Sequence, residues 1–128
     1  MAQQKEIIAG FDIGGAHLKV ARVEDGKVTA AATVAAPLRL GIDTLEAAFS
    51  QTAPIHAGAE LRAFTMTGEL SEAFPSRAAG VAALLDEIAA RFPADSLVYA
   101  TRAGLVPVEQ ARGIPDEIAS ANWHATAS

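Results

Sequence analysis

Ile7-Ile8-Ala9-Gly10-Phe11-Asp12-Ile13-Gly14-Gly15-Ala16-His17-Leu18-Lys19 is the stretch whose reading decides the fold. Ile7 to Ile13 is an almost continuously apolar run that ends at paired glycines. That pattern suits a strand buried on both faces and central in its sheet. From His17 to Glu24 the chain mixes polar and apolar residues, Asp25-Gly26 supplies a two-residue turn that tolerates positive φ, and Lys27 to Val34 returns. The opening is therefore expected to be an antiparallel meander of three strands. Ala30 to Ala36 reads as strand and not as linker, because Thr29, Thr33 and Val34 are β-formers.

Working outward, Asp43 with Glu46 three residues on predicts an N-cap and a short helix from Thr44 to Gln51, with Pro54 and Gly58 ending that region. Leu61 to Met66 has the length and flanking turn residues of a fourth strand. From Arg77 to Arg91, the residues Val81, Leu84, Leu85, Ile88 and Phe92 fall on one helical face, and Pro93 stops the helix. Ser96 to Ala100 reads as a fifth strand. A last helix is expected to start near Asp116 and run to the chain end through Ile118, Ala121 and Trp123. Strands joined by helical crossovers lie parallel. The expected architecture is therefore α/β: one ribonuclease H-like lobe over residues 1–128, a mixed five-stranded sheet with helices.

Composition bounds the function. The 128 residues are 51% hydrophobic, enough for one sizeable core, and the formal charge of -5 argues against nucleic acid as a partner. With no cysteine, disulfides and thiolate metal sites are excluded. No stretch approaches the roughly 20 apolar residues of a membrane span, and the N-terminus lacks signal-peptide order. A soluble, cytoplasmic protein is expected. An anionic ligand would then have to be held by local geometry, since bulk charge does not favour it.

Asp12-Ile13-Gly14-Gly15-Ala16-His17-Leu18-Lys19 lies between two strands, so it is neither a Walker loop nor a dinucleotide fingerprint, both of which open a helix. A tight Gly14-Gly15 turn can present backbone N–H groups to phosphate oxygens. Asp12, at the end of the strand, is placed to hold a hydrated Mg²⁺ against the same phosphates, and Lys19 to add positive charge. The alternative is a plain hairpin turn with Asp12 bonding locally. His17 reads as a strand residue with no companion ligands. The second candidate is Thr65-Met66-Thr67-Gly68-Glu69-Leu70, at the carboxyl end of the fourth strand. There Thr67 and Glu69 are placed to bond substrate or accept a proton, the alternative being a capping Thr and a solvated carboxylate. Ser120-Ala121-Asn122-Trp123-His124 is weak by itself, since a helical Trp is normally core.

Taken together, Gly10 to Lys19, Thr65 to Leu70, Arg77 to Asp86 and Ser120-Ala121-Asn122-Trp123-His124-Ala125-Thr126-Ala127 resemble the successive signatures of hydantoinase A/oxoprolinase-like proteins. Within that group they are most similar to the tetrahydromethanopterin-linked one-carbon transfer proteins and the archaeal methanofuran-biosynthesis synthases. The resemblance implies an actin-like, sugar-kinase-like (ASKHA) N-terminal lobe, half of a two-lobed enzyme. It implies a transferase that joins a furanylmethyl diphosphate to the phenol of γ-glutamyltyramine and releases diphosphate. The implied roles are phosphate binding for Gly14, Gly15, Ala16, His17 and Lys19, Mg²⁺ at Asp12, catalysis by Asp12 and Glu69, and substrate binding by Thr67 and Asn122. His17 and Leu18 stand where relatives commonly carry Asn and Thr, and the Tyr99-Ala100-Thr101-Arg102 stretch lacks an Asp that relatives often have.

Two further readings remain open: an ATP-dependent kinase or ring-opening hydrolase of the same superfold, and a non-catalytic lobe that binds a partner. The expected partners are a diphosphate- or nucleotide-bearing small molecule and a second lobe from the same enzyme or another chain. Self-association through uncovered apolar surface is a further expectation.

Overall fold

The computed structural model describes residues 6–67 and 73–118. A strand β1 (Ile7–Ile13), β2 (His17–Glu24) and β3 (Lys27–Ala35) form the expected meander. Asp25 and Gly26 make its second turn with φ of 52° and 83°, the left-handed pair that a two-residue hairpin requires. A 3-10 turn at Leu38–Leu40, helix α1 (Asp43–Gln51) and helix α2 (Ala53–His56) lead to β4 (Leu61–Met66). Helix α3 (Arg77–Arg91), strands β5 (Leu97–Ala100) and β6 (Gly104–Pro107) and helix α4 (Val108–Arg112) follow.

The strand order is β3-β2-β1-β4-β5-β6. β4 runs parallel to both β1 and β5, and the other neighbours are antiparallel. The sheet is thus mixed and α/β, with β1 in its middle, as its apolar run requires. It has six strands where five were expected. β6 was missed because its four residues are too short for a periodicity to register, and it exists through its pairing with β5.

One face of the sheet carries the core. Ala9, Phe11 and Ile13 of β1 are buried beside Leu18, Val20, Phe64, Met66 and Val98, and α3 adds Val81, Leu84, Leu85 and Ile88. Phe11 stacks on Phe64 with ring centroids 4.4 Å apart, and meets Phe49 of α1 edge-on at 5.8 Å and Phe92 at 5.3 Å. Arg22 of β2 reaches over the edge of this core and donates to the carbonyls of Ile55 (3.1 Å) and Ala57 (2.8 Å), tying α2 to the meander.

The expectation that β1 is buried on both faces is corrected. Its residues alternate, and Ile8, Gly10 and Asp12 on the second face are only half-buried. An apolar run was read as two-sided because Gly10 and Ile8 look apolar in sequence wherever they point.

Two helix starts also differ. α1 begins at Asp43 itself, with Ile42 at the N-cap and no side-chain cap, while Thr44 bonds the carbonyls of Gly41 (2.8 Å) and Pro37 (3.2 Å). α4 was not anticipated. It precedes the expected last helix, whose first turn is present at residues 115–118, and the remainder of that helix lies outside the described residues. α3 matches its expected span, with Ser76 accepting from the Ala79 amide at 3.1 Å as its N-cap.

Candidate functional site

The parallel pairing of β1 and β4 brings the first two sequence candidates together. Ile13 is the register partner of Met66, so the Gly14-Gly15 turn and Thr67 leave the sheet side by side at its carboxyl edge. The Thr67 amide donates to the Ile13 carbonyl at 2.6 Å, and its hydroxyl donates to the same oxygen at 3.2 Å. A Cβ placed on Gly14 would stand 3.2 Å from the His17 carbonyl and 3.4 Å from the Thr67 hydroxyl. Only glycine therefore sits there without displacing a neighbour.

The turn is held rigidly. The Gly14 amide donates to the His17 carbonyl at 2.9 Å, which takes that amide out of ligand binding. The carbonyls of Gly15 and Ala16 accept from Leu38 (2.9 Å) and Ala36 (2.8 Å), so both point back into the protein. The amides of Gly15 and Ala16 meet no backbone acceptor among the described residues and lie at a half-buried to exposed corner. His17 is exposed at the start of β2, opposite Ala35.

Asp12 stays on the open face, half-buried, where Thr65 donates to its Oδ1 at 3.2 Å. Lys19 is its register partner on β2, and Thr33 is the partner of Lys19 on β3. Direct cross-strand partners share a face. Thr33, Lys19, Asp12 and Thr65 therefore form one polar row across four strands. Two residues along each strand toward its far end lies a row of small residues, Ala31, Ala21, Gly10 and Ala63, again in register. The difference in side-chain length between the rows leaves a concavity of about 630 Å³ over β1, β2 and β3, with Asp12, Lys19 and Thr33 along one wall and Gly10, Ala21 and Ala31 in the floor.

Thr33 was not singled out from sequence as a site residue, and Thr65, although it opens the second candidate stretch, was given no role there. Their signal is register, which places them beside Lys19 and Asp12 only once the strands pair. Glu69 and Asn122 lie outside the described residues. Among the described residues no group of three or more His, Asp or Glu side chains gathers into a metal cage. A divalent ion at Asp12 would thus have one carboxylate and the Thr65 hydroxyl, with water and ligand oxygens completing its shell. That donor set suits Mg²⁺, which commonly takes one or two carboxylates and retains waters and phosphate oxygens.

The site is thus the carboxyl-edge corner of a mixed α/β sheet, with one carboxylate that accepts from Thr65, one lysine and two loop amides without a backbone acceptor among the described residues, an arrangement able to bind an anion together with a cation. No family model matches the chain. Over 123 residues it is 26% identical to the (4-{4-[2-(gamma-L-glutamylamino)ethyl]phenoxymethyl}furan-2-yl)methanamine synthase of Methanocaldococcus jannaschii, an alignment that takes in 96% of this chain and 36% of that enzyme. The chain spans about a third of the length of this curated relative. Among the described residues no helix is long and apolar enough to cross a membrane.

Proposed function

We propose that the chain is the amino-terminal, ribonuclease H-like lobe of a diphosphate-handling transferase similar to that synthase, in methanofuran-linked one-carbon metabolism. The observation that carries the reading is that strand register sets Asp12 beside Lys19 and Thr65 on one face, at the strand ends from which Thr67 and the loop bearing the Gly15 and Ala16 amides leave the sheet. Three of these groups favour an anion: the two amides and the ammonium of Lys19. Asp12 by itself would repel it, so its presence fits a site in which Mg²⁺ stands between carboxylate and phosphate. The alternation of β1 supports this reading, since Asp12 faces solvent and not the core.

In the proposed reaction a phenol oxygen attacks the methylene carbon of a furanylmethyl diphosphate. The new C–O bond forms as the bond to diphosphate breaks, and the phenolic proton passes to a base. Lys19 and the loop amides would hold the departing diphosphate, and bound Mg²⁺ would supply further charge neutralisation. Glu69 is proposed as the base or amine anchor, Thr67 and Asn122 as substrate-binding groups, and a second lobe as the wall that excludes water. The mixed sheet, with its three-strand meander followed by parallel strands joined over helices, supports the ASKHA assignment.

The test is thermal unfolding with MgCl₂, inorganic pyrophosphate, both together, and ATP with MgCl₂. Stabilisation by Mg²⁺ and pyrophosphate together, exceeding that by either alone, is expected. No shift with any diphosphate overturns the reading, and a larger shift with ATP than with pyrophosphate assigns the corner to a kinase instead.

A further inference from the structure

β3 is the last strand on one side of the sheet, so one of its margins meets no other strand among the described residues. It is also the longest of the described strands, and the chain carries no charge from Val28 to Leu38. Natural edge strands are usually blunted by charged side chains, proline, short length or a bulge. The bulge in the β2–β3 ladder lies near the hairpin, between Arg22 and Val23, and leaves Ala30 to Ala35 in unbroken register.

The direction of the backbone groups follows from one bond. The Ala36 amide donates to the Ala16 carbonyl, on the β2 side, at 2.8 Å. Along an antiparallel strand, residues that bond one neighbour alternate with residues whose N–H and C=O point the other way. Ala32 and Val34 therefore bond β2, while Ala31, Thr33 and Ala35 direct their backbone groups outward, where none meets a partner among the described residues. All three residues are exposed. The exposed large hydrophobics Val28 (66%), Leu40 (65%) and Ile42 (36%) lie in β3 or just past its end.

We propose that β3 pairs antiparallel with β3 of a second copy about a two-fold axis at Thr33, joining the two sheets into one. In this register Thr33 faces Thr33 and Ala31 faces Ala35, so every outward N–H and C=O of these residues finds a partner. Sliding the strands by two residues sets Ala35 opposite Thr29 at the bulge, or Ala31 opposite Pro37, which has no N–H. A second copy fits because the margin matches itself. Its side chains are small and uncharged, and Val28 of each copy runs past the Leu38–Ile42 segment of the other, bringing exposed apolar residues together. The two Lys19 residues stand three strand spacings apart, about 14 Å, beyond the roughly 8 Å reach of charge repulsion in physiological salt.

Pairing also completes the concavity, which ends at Ala31, Ala32 and Thr33 of β3. The row Thr65, Asp12, Lys19, Thr33 continues into the same row of the second copy. The floor row Gly10, Ala21, Ala31 runs on to the second copy's Ala35 and then its His17, because His17 and Ala35 are register partners.

Sedimentation equilibrium of the chain is expected to give twice the 13.2 kDa monomer mass. Ala35→Pro removes one outward N–H from each copy and none that bonds β2, so it should raise the dimer dissociation constant at least about 30-fold while circular dichroism stays that of the parent. Register is read by cysteine pairs in a chain that has no cysteine of its own. Thr33→Cys should oxidise to a disulfide-linked dimer, since directly opposite Cα atoms lie about 5.5 Å apart. Ala35→Cys should cross-link only when mixed with Ala31→Cys, because in a dimer of Ala35→Cys alone the cysteines are offset by about 14 Å. A monomer at every concentration, with no disulfide in Thr33→Cys, overturns the proposal. A dimer that Ala35→Pro leaves intact, or cross-linking of Ala35→Cys alone in preference to Thr33→Cys, overturns it as well and assigns association to another surface.

Discussion

Replacing Asp12 with Asn separates a cation-holding carboxylate from a hairpin turn's local hydrogen-bonding partner. The change keeps shape and an oxygen able to accept from Thr65 Oγ1, 3.2 Å away, and removes only the charge. Asp12 is half-buried on an open face, so bulk-water screening sets the lower limit. A unit negative charge about 4 Å from a hydrated divalent cation is then worth about 2 kcal/mol. That corresponds to about a 30-fold loss of Mg²⁺-pyrophosphate affinity, and to more if the site is drier. Folding stability should change by less than about 1 kcal/mol, because the exchange keeps the hydrogen-bonding shape and buries no new group. Without Mg²⁺ the sign reverses: removing a carboxylate opposite Lys19 should strengthen pyrophosphate binding. Calorimetric titration with and without Mg²⁺ reads both limbs. An affinity loss below about twofold with Mg²⁺ present, or the same loss with the metal chelated, would refute the reasoning.

Glu87 of α3 offers a pH-dependent prediction. Burial raises its carboxyl above the ordinary 4.5, the neighbouring Glu46 of α1 raises it further, and Arg91 opposes both. The folded protein therefore holds this proton more tightly than the unfolded chain, and the associated stability is lost as pH rises from 4.5 through the raised value. Glu87→Gln should gain stability relative to the parent across that window, measured by urea unfolding at successive pH values, and a relative loss would mean the Arg91 ion pair dominates. Phe11→Ala removes the ring at the centre of the Phe49, Phe64 and Phe92 cluster and should cost about 3–5 kcal/mol in the same assay. A cost below about 1 kcal/mol would mean that the cluster repacks.

Much of the architecture follows from local chemistry. Ile7 to Ile13 has nowhere to go but an interior strand, Asp25-Gly26 turns the chain back, Ser76 caps α3, and Val81, Leu84, Leu85 and Ile88 fix which of its faces is buried. These residues act within one turn or one strand, where spacing alone carries the information. β6 and α4 were illegible for the converse reason. Each is four or five residues long, with too few apolar positions for a period to emerge; β6 is held by its pairing with β5, and α4 by its contacts with α3, β5 and β6.

The site divides in the same way. Gly14-Gly15, Asp12 and Lys19 were legible because they fall within eight residues of one another, between two strands. The loss of the Gly14 amide to His17 was not, because nothing in the sequence specifies which carbonyl the turn closes on.

By itself the sequence determined that β1 is central, that a glycine turn follows it, and that a carboxylate stands just before that turn. Tertiary structure alone decided that Asp12 faces outward, that Thr65 and Thr33 join it and Lys19 in one row, and that Gly10 opens a floor beside them. The reason is that strand register is a long-range property. Asp12 and Thr65 are 53 residues apart, and only the pairing of β1 with β4 sets one beside the other.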